Sequence, residues 1–267
     1  MKILKAAVIG KDVSKSVSPQ MHGFIAEALG KKIEYGKISI PETEFESAIE
    51  GVFENYDCFN VTIPYKLSVI PHLKKTVGDA DVFSAVNTVT VADRTGYNTD
   101  GAGFALMLRN DGVEVRGKTV LLLGAGGAGR SVAKTLSDAG ATVSVYDKNT
   151  CNAKEVAARF GLTALSEIAV GRYDIIVNAT GVGMHKTEGI SPVGEDLIGL
   201  CTVAVDLIYV PAKSKFLEIA ESCGKKIING AAMLFYQAYF AECIYFGLQP
   251  DDGQAKLLFE KYREKGL

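Results

Sequence analysis

The chain has 267 residues, 48% of them hydrophobic and 22% charged, with a formal net charge of −2. That length suffices for two modest domains or one large one, and the balance is ordinary for a globular protein. It leaves no basic footprint for nucleic acid and no polybasic patch for a membrane surface, so a small polar ligand fits better than a polyanion.

The apolar part of Met1 to Gly10 is too short for a secretory signal and reads as a strand over Ala6 to Ile9. Ser18 followed by Pro19 reads as a cap and first helical residue, opening a helix from Pro19 to Leu29 that stops at Gly30. A second strand falls around Ile33 to Ile40. Phe59 to Thr62 reads as a short buried strand, after which Pro64 suits the first position of a helix. Lys66 then lies in that helix's first turn, at the positive end of its dipole, where a cation is disfavoured by a few tenths to about one kcal/mol. Such a place suits a group that hands on a proton; a surface lysine bent into solvent is the plainer alternative. Ala85 to Ala92 and Tyr97 read as a hairpin turned by Asp93-Arg94-Thr95-Gly96, and a linking helix occupies Asp100 to Gly117.

From Lys118 to Asp206 strand and helix patterns alternate. Strand Thr119 to Leu123 precedes a helix to about Ala139, then strand Ala141 to Tyr146 and a helix from about Asn152 to Phe160 ended by Gly161. Strands Tyr173 to Asn178 and Thr202 to Asp206 follow. Strands this uniformly apolar are covered on both faces, as in a parallel, doubly wound sheet. Ala231 to Phe246 is shorter than a membrane span and carries Gln237 and Glu242, so it reads as a buried helix. The expected fold class is α/β with two domains. Residues 1–101 form an N-terminal α/β domain on which 231–267 packs back, and 102–230 form a Rossmann-like doubly wound dinucleotide-binding domain.

Five cysteines (Cys58, Cys151, Cys201, Cys223, Cys243) stand singly with no C-x-x-C pair, and His22, His72 and His185 form no ligand-spaced cluster. Buried thiols in a reducing, cytoplasmic setting are expected, with neither a disulfide framework nor a metal site.

Gly124-Ala125-Gly126-Gly127-Ala128-Gly129 follows a strand and opens a helix, in G-x-G-x-x-G spacing. The first glycine makes the turn, the second lets backbone approach a pyrophosphate, and the third allows the helix to pack on the strand. In that context the loop signals a dinucleotide site. Asp147 ends the next strand at the usual distance for an acid on the ribose diol, which favours NAD. Lys148 beside it suits a 2′-phosphate, which favours NADP, and helix capping is the plain alternative for Asp147. The residues leave the choice open.

Ser16 and Ser18 place two hydroxyls at a helix start, where with free N–H groups they suit a carboxylate. Capping explains Ser18 by itself but does not need Ser16. Asn87 sits in an apolar strand, and Asp100 starts the linking helix. Gln237 is the strongly polar side chain between Gly230 and Ala241, and such an amide must find partners, in the core or on a ligand hydroxyl, because an unsatisfied one costs roughly 1–3 kcal/mol.

Together these segments resemble the shikimate dehydrogenase family over nearly the whole chain. The elements are Ser16-x-Ser18-Pro19-x-Met21-His22, Asn60-Val61-Thr62-x-Pro64-x-Lys66, Ala85-Val86-Asn87-Thr88 and Asn98-Thr99-Asp100-Gly101. After the glycine loop come Asn178-Ala179-Thr180, Asp206-x-x-Tyr209-x-Pro211 and Gly230-x-x-Met233-Leu234-x-x-Gln237. The resemblance implies a two-domain enzyme that reversibly reduces 3-dehydroshikimate to shikimate in aromatic amino-acid biosynthesis. The N-terminal domain would bind shikimate and the later one the nicotinamide cofactor. Lys66 and Asp100 would be the catalytic pair. Ser16 and Ser18 would hold the carboxylate, with Tyr209 near it, while Asn60, Thr62, Asn87, Asp100 and Gln237 would read the ring hydroxyls. Cofactor contacts would come from Gly124 to Gly129, Asp147, Lys148, Asn178, Thr180 and Gly230. NADP is the family's usual cofactor; Asp147-Lys148-Asn149, where the family commonly has Asn-Arg-Thr, keeps NAD in view. Glu242 and Tyr245 replace an aromatic pair common in the final helix. A monomer or homodimer is expected, without nucleic acid or membrane partners.

Two competing readings are an NAD-dependent quinate/shikimate dehydrogenase and a non-catalytic nucleotide- or metabolite-binding regulator. The Lys66 and Asp100 pair speaks against the regulator, which has no need of both.

Overall fold

The computed structural model describes residues 3–168 and 171–266. The chain divides into two compact units, one made of Met1–Gly103 with Phe235–Leu267 and the other of Phe104–Leu234. Among the described residues no helix is long and apolar enough to cross a membrane.

The first unit opens with β1 (Leu4–Gly10), α1 (Ser18–Ala28), β2 (Ile33–Ser39), α2 (Phe45–Asn55) and β3 (Cys58–Val61). The short β4 (Lys75–Thr76), α3 (Asp79–Phe83), β5 (Thr88–Thr90) and β6 (Thr95–Tyr97) follow. Its sheet runs β2-β1-β3-β5-β6-β4, parallel from β2 to β3, antiparallel from β3 to β6 and parallel again at β4.

Register sorts its side chains. Ala6 lies opposite both Tyr35 and Cys58, and Val8 opposite Asn60, so alternation puts these on one face. The small Ala6 between Tyr35 and Cys58 leaves room for the tyrosine ring to lie across β1. Ile9, Phe59 and Val61 face the other way, into a core with Phe45, Ile49, Val52 and Phe53 of α2. The chain-order reading has no helix there, although those four residues recur at the spacing of an amphipathic helix.

In the second unit α4 (Asp100–Asn110) leads to β7 (Thr119–Leu123), α5 (Gly127–Asp138), β8 (Thr142–Tyr146), α6 (Thr150–Phe160) and β9 (Thr163–Leu165). Then come β10 (Ile175–Asn178), α7 (Glu195–Ile198), β11 (Val203–Asp206), α8 (Lys215–Ser222) and β12 (Lys226–Ile228), after which the chain returns to the first unit with most of α9 (Ala231–Phe246) and all of α10 (Asp252–Glu264). The parallel sheet order is β12-β11-β10-β7-β8-β9. The chain winds one way from β7 and the other from β10, which puts the topological switch point at their carboxyl ends. Leu121 and Leu123 face Ile176, Ala204, Phe216 and Leu217 on one side of this sheet.

Several expectations shift. No helix begins at Pro64: residues 63–69 are successive turns, the Ile63–Pro64 bond is cis, and the Lys66 carbonyl accepts from Val86 N–H at 2.8 Å. That oxygen bonds across to the strand region instead of closing a helical turn. The hairpin turn is Val91 to Arg94, since Thr95 and Gly96 already belong to β6. Cys58, Cys201 and Cys243 are buried, whereas Cys151 is exposed and Cys223 half-buried.

Candidate active site

Lys66 and Asp100 meet inside the first unit. Lys66 Nζ donates to Asp100 Oδ2 at 2.5 Å, with side chains 13% and 6% exposed. The lysine comes from the turns after β3 and the aspartate from the first residue of α4. Asp100 is held from behind, its N–H donating to Asn98 Oδ1 at 2.9 Å while Asn98 Nδ2 donates to the Ala85 carbonyl at 2.9 Å. Asp100 therefore turns its carboxylate to Lys66 and Asn87.

Asn87 joins the pair to a second polar group. Its Nδ2 donates to Asp100 Oδ1 and Thr99 Oγ1, both at 2.9 Å, and faces Gln237 Oε1 of α9 at 3.3 Å. Its Oδ1 accepts from Thr99 N–H and from Thr88 Oγ1, each at 2.9 Å. Because an N–H can only donate, the Thr99 bond fixes which way the amide faces. Lys66, Asp100, Asn87 and Gln237 thus form a connected constellation of one cation, one anion and two amides. This set can bind a hydroxyl or carbonyl oxygen and exchange a proton with it.

Asn60, expected to read ligand hydroxyls, has its hydrogen bonds met within the protein. Its Oδ1 accepts from Tyr35 Oη at 2.7 Å and from Tyr245 Oη at 2.9 Å. Its Nδ2 donates to the Asn87 carbonyl at 3.1 Å and to Thr88 Oγ1 at 3.2 Å. Two donations and two acceptances complete an asparagine side chain. Thr62 is half-buried, its N–H on the Ile9 carbonyl.

At the start of α1 the N-cap is Val17, not Ser18, and Pro19 comes second in the helix. Ser16 Oγ accepts from Ser18 N–H at 3.2 Å and donates to Ser18 Oγ at 3.0 Å. The two hydroxyls are paired, and Ser16 supplies the acceptor expected of Ser18.

In the second unit the glycine loop has the geometry its spacing predicts. Gly124 adopts φ +98° after β7, and a Cβ on Gly129 would stand 2.2 Å from the Gly124 carbonyl oxygen. A Cβ on Gly126 would meet nothing within 4 Å, so that backbone is open to approach at the N-terminus of α5, with Gly127 and Ala128 in its first turn. This bare cradle at the switch point fits a dinucleotide pyrophosphate.

Asp147 closes the loop: its carboxylate accepts from Ala125 N–H and Asn149 N–H, both at 2.8 Å. The cap of α6 is Asn149, which accepts from Cys151 N–H, so the capping alternative for Asp147 fails. Lys148 is exposed beside it.

Asn178 Oδ1 accepts from Thr180 Oγ1 at 2.6 Å, and its Nδ2 donates to Asp206 Oδ1 at 3.0 Å. Asp206 also accepts from Ser214 Oγ at 2.5 Å and Ile208 N–H at 3.0 Å. Burial pushes the Asp206 carboxyl up from its usual value, and these hydrogen bonds oppose the rise. Half-buried Tyr209 follows in the same loop, its phenol also raised by burial. Gly230 is explained by packing, since a Cβ there would lie 2.0 Å from the Leu207 carbonyl oxygen. No group of three or more His, Cys, Asp or Glu among the described residues could hold a metal ion.

Sequence reasoning missed Tyr35 altogether and treated Tyr245 as packing. The face parity of β1, β2 and β3 is the signal for Tyr35. For Tyr245 it is the helical spacing from Gln237, eight residues earlier on α9.

Comparison with known proteins follows the same division. The family model for the shikimate dehydrogenase substrate binding domain matches residues 8–89, and that for the D-isomer specific 2-hydroxyacid dehydrogenase, NAD binding domain, matches 86–191. The shikimate dehydrogenase (NADP(+)) of Carboxydothermus hydrogenoformans is 40% identical, over 91% of this chain and 91% of that one. A counterpart in Thermus thermophilus is 36% identical over 93% and 95%. The crystal structure of shikimate 5-dehydrogenase from Thermus thermophilus in complex with NADP(H) and shikimate superposes with a TM-score of 0.86. It is 34% identical, covering 97% of this chain and 99% of its own.

Proposed function

The chain belongs to the shikimate dehydrogenase family, and we propose that it catalyses the reversible NADP-dependent reduction of 3-dehydroshikimate to shikimate, with the first unit as substrate domain and the second as nucleotide domain. The observation that carries this reading is the 2.5 Å contact of Lys66 with Asp100, joined through Asn87 to Gln237. Reducing a ketone needs a proton at the carbonyl oxygen as well as a hydride at carbon. Lys66 gives that proton, and in the reverse direction it takes the proton from the alcohol. Asp100 orients the ammonium and balances its charge, and a positioned group of this kind contributes about 10²–10⁴-fold. Asn87 and Gln237 bind neighbouring ring hydroxyls. Ser16 and Ser18 hold the carboxylate, and Thr62 lines the same site.

NADP, when bound, supplies or accepts the hydride. The Gly124 to Gly129 loop receives its pyrophosphate, and Asn178, Thr180 and Gly230 shape the adjoining wall. Both Asp147 oxygens accept backbone N–H groups, while Lys148 is exposed and carries the charge that suits a 2′-phosphate. Asp147 therefore acts as a clamp on the loop, and Lys148 favours NADP over NAD.

Steady-state rates with shikimate and quinate, each with NADP and NAD, test the reading. The highest kcat/KM is expected for shikimate with NADP. Faster turnover of quinate with NAD, or no oxidation of shikimate with either cofactor, would overturn it.

A further inference from the structure

Behind the substrate amides lies a second buried polar cluster that the reaction does not use. His22 of α1 and Glu242 of α9 are 1% and 0% exposed, with Nδ1 and Oε1 2.6 Å apart. The His22 ring stacks on Tyr35 at 4.2 Å between centroids. Tyr35 from β2 and Tyr245 from α9 then converge on one atom, Asn60 Oδ1.

The direction of these bonds is determined. A backbone carbonyl only accepts, so the Asn87 carbonyl forces Asn60 Nδ2 to face it, and Asn60 Oδ1 must face the two phenols. Burial raises both phenols well above their ordinary value, which keeps them protonated as donors. Asn60 in turn grips Asn87 twice, at its carbonyl and through Thr88 Oγ1, whose hydroxyl donates to Asn87 Oδ1. The line from the tyrosines ends at Asn87 Nδ2, on Asp100 and beside Gln237.

We propose that Tyr35 and Tyr245 are positioning residues for the substrate amides: their hydroxyls convert Asn60 from a ligand-reading side chain into the brace that fixes Asn87. Glu242 and His22 assist by setting the register of α9 against α1, the best-attested use of a buried polar pair. Tyr245 and Gln237 lie on one stripe of α9, so the register that brings Tyr245 to Asn60 also brings Gln237 to Asn87. The benefit is preorganisation: the amides are already held in one orientation, so binding loses less entropy.

This inference rests on the shikimate dehydrogenase reading. Tyr245→Phe and Tyr35→Phe each keep the ring and delete a hydroxyl. Each is expected to raise KM for shikimate about fivefold, with kcat within about twofold and KM for NADP unchanged. In the double variant Asn60 Oδ1 loses its second donor as well, so KM should rise by more than the product of the single effects. The two single variants are read separately, so misfolding of one leaves the other to decide. A lowered melting temperature with unmoved KM for shikimate, or equal changes for shikimate and NADP, overturns the inference alone. A wild-type chain that does not oxidise shikimate overturns the functional reading and this inference with it.

Discussion

Removing the Lys66 ammonium should lower both turnover and stability, and a second substitution should restore only the stability. At 2.5 Å the two charges attract by about 7 kcal/mol at an effective dielectric of about 20. Most of that offsets the desolvation of two ions whose side chains are 13% and 6% exposed. Lys66→Ala strands the Asp100 carboxylate with the neutral Asn87 amide at 2.9 Å, and breaking such a pair from one side costs about 3–5 kcal/mol. The small remaining exposure puts the expected loss near the lower figure. Adding Asp100→Asn removes the stranded charge, so the double variant should regain about 2 kcal/mol of it. Shikimate oxidation should stay down by about 10²–10⁴-fold in the single and double variants alike. Urea unfolding of wild type, both single variants and the double gives the coupling, and initial rates with NADP give the turnover. Stabilities that add to within about 0.5 kcal/mol would show that the charges do not interact. A Lys66→Ala rate within about tenfold of wild type would remove the lysine from proton transfer.

The cofactor loop offers a steric test: Gly129→Ala puts a Cβ 2.2 Å from the Gly124 carbonyl, so NADP binding, followed by fluorescence of its reduced form, should be lost. Unchanged binding would show that α5 can move away from β7. Lys148→Ala should lower kcat/KM for NADP about fivefold and leave NAD unaffected, as for an exposed ion pair; equal losses with both cofactors would refute its contact with the 2′-phosphate. Asp206 carries a pH signature of unusual sign. Its folded pKa is raised from 3.8 by burial, so its contribution favours folding at low pH and is lost as pH rises through the raised value. Asp206→Asn should lack that loss, so its stability relative to wild type should climb with pH above 3.8. Parallel urea midpoints across that range would contradict the assignment.

The α/β architecture with a doubly wound half was legible because local chemistry dictates it. The glycine spacing can serve only a tight turn and close packing, and the apolar strands β7, β10 and β11 need cover on both faces. Lys66 was legible as a residue but not in its conformation, because its carbonyl is taken by Val86 N–H from a distant segment. Propensity at Pro64 cannot register that competition. The bonding of Asn60 was not legible for a related reason. Its saturation depends on Tyr35, Tyr245 and Asn87 arriving from three other segments, and nothing within its own motif encodes them. Ser16 instead of Ser18 accepts a backbone N–H at the start of α1 because Val17 takes the cap position, a difference of one residue at a helix end.

The first unit is built from two segments separated by the second, and this sets an order for its assembly during synthesis. Gln237, Glu242 and Tyr245 all lie in the returning segment Phe235–Leu267. Strands β1 to β6 leave the ribosome before the nucleotide unit, yet Asn60 and His22 must wait for partners translated after that whole intervening unit. Domains fold as units when their residues become available, so the intervening unit matures before the one whose strands precede it. A chain cut short before Phe235 would then keep a nucleotide fold and lose the sugar-acid site, a division of labour imposed by the gene's own linear order.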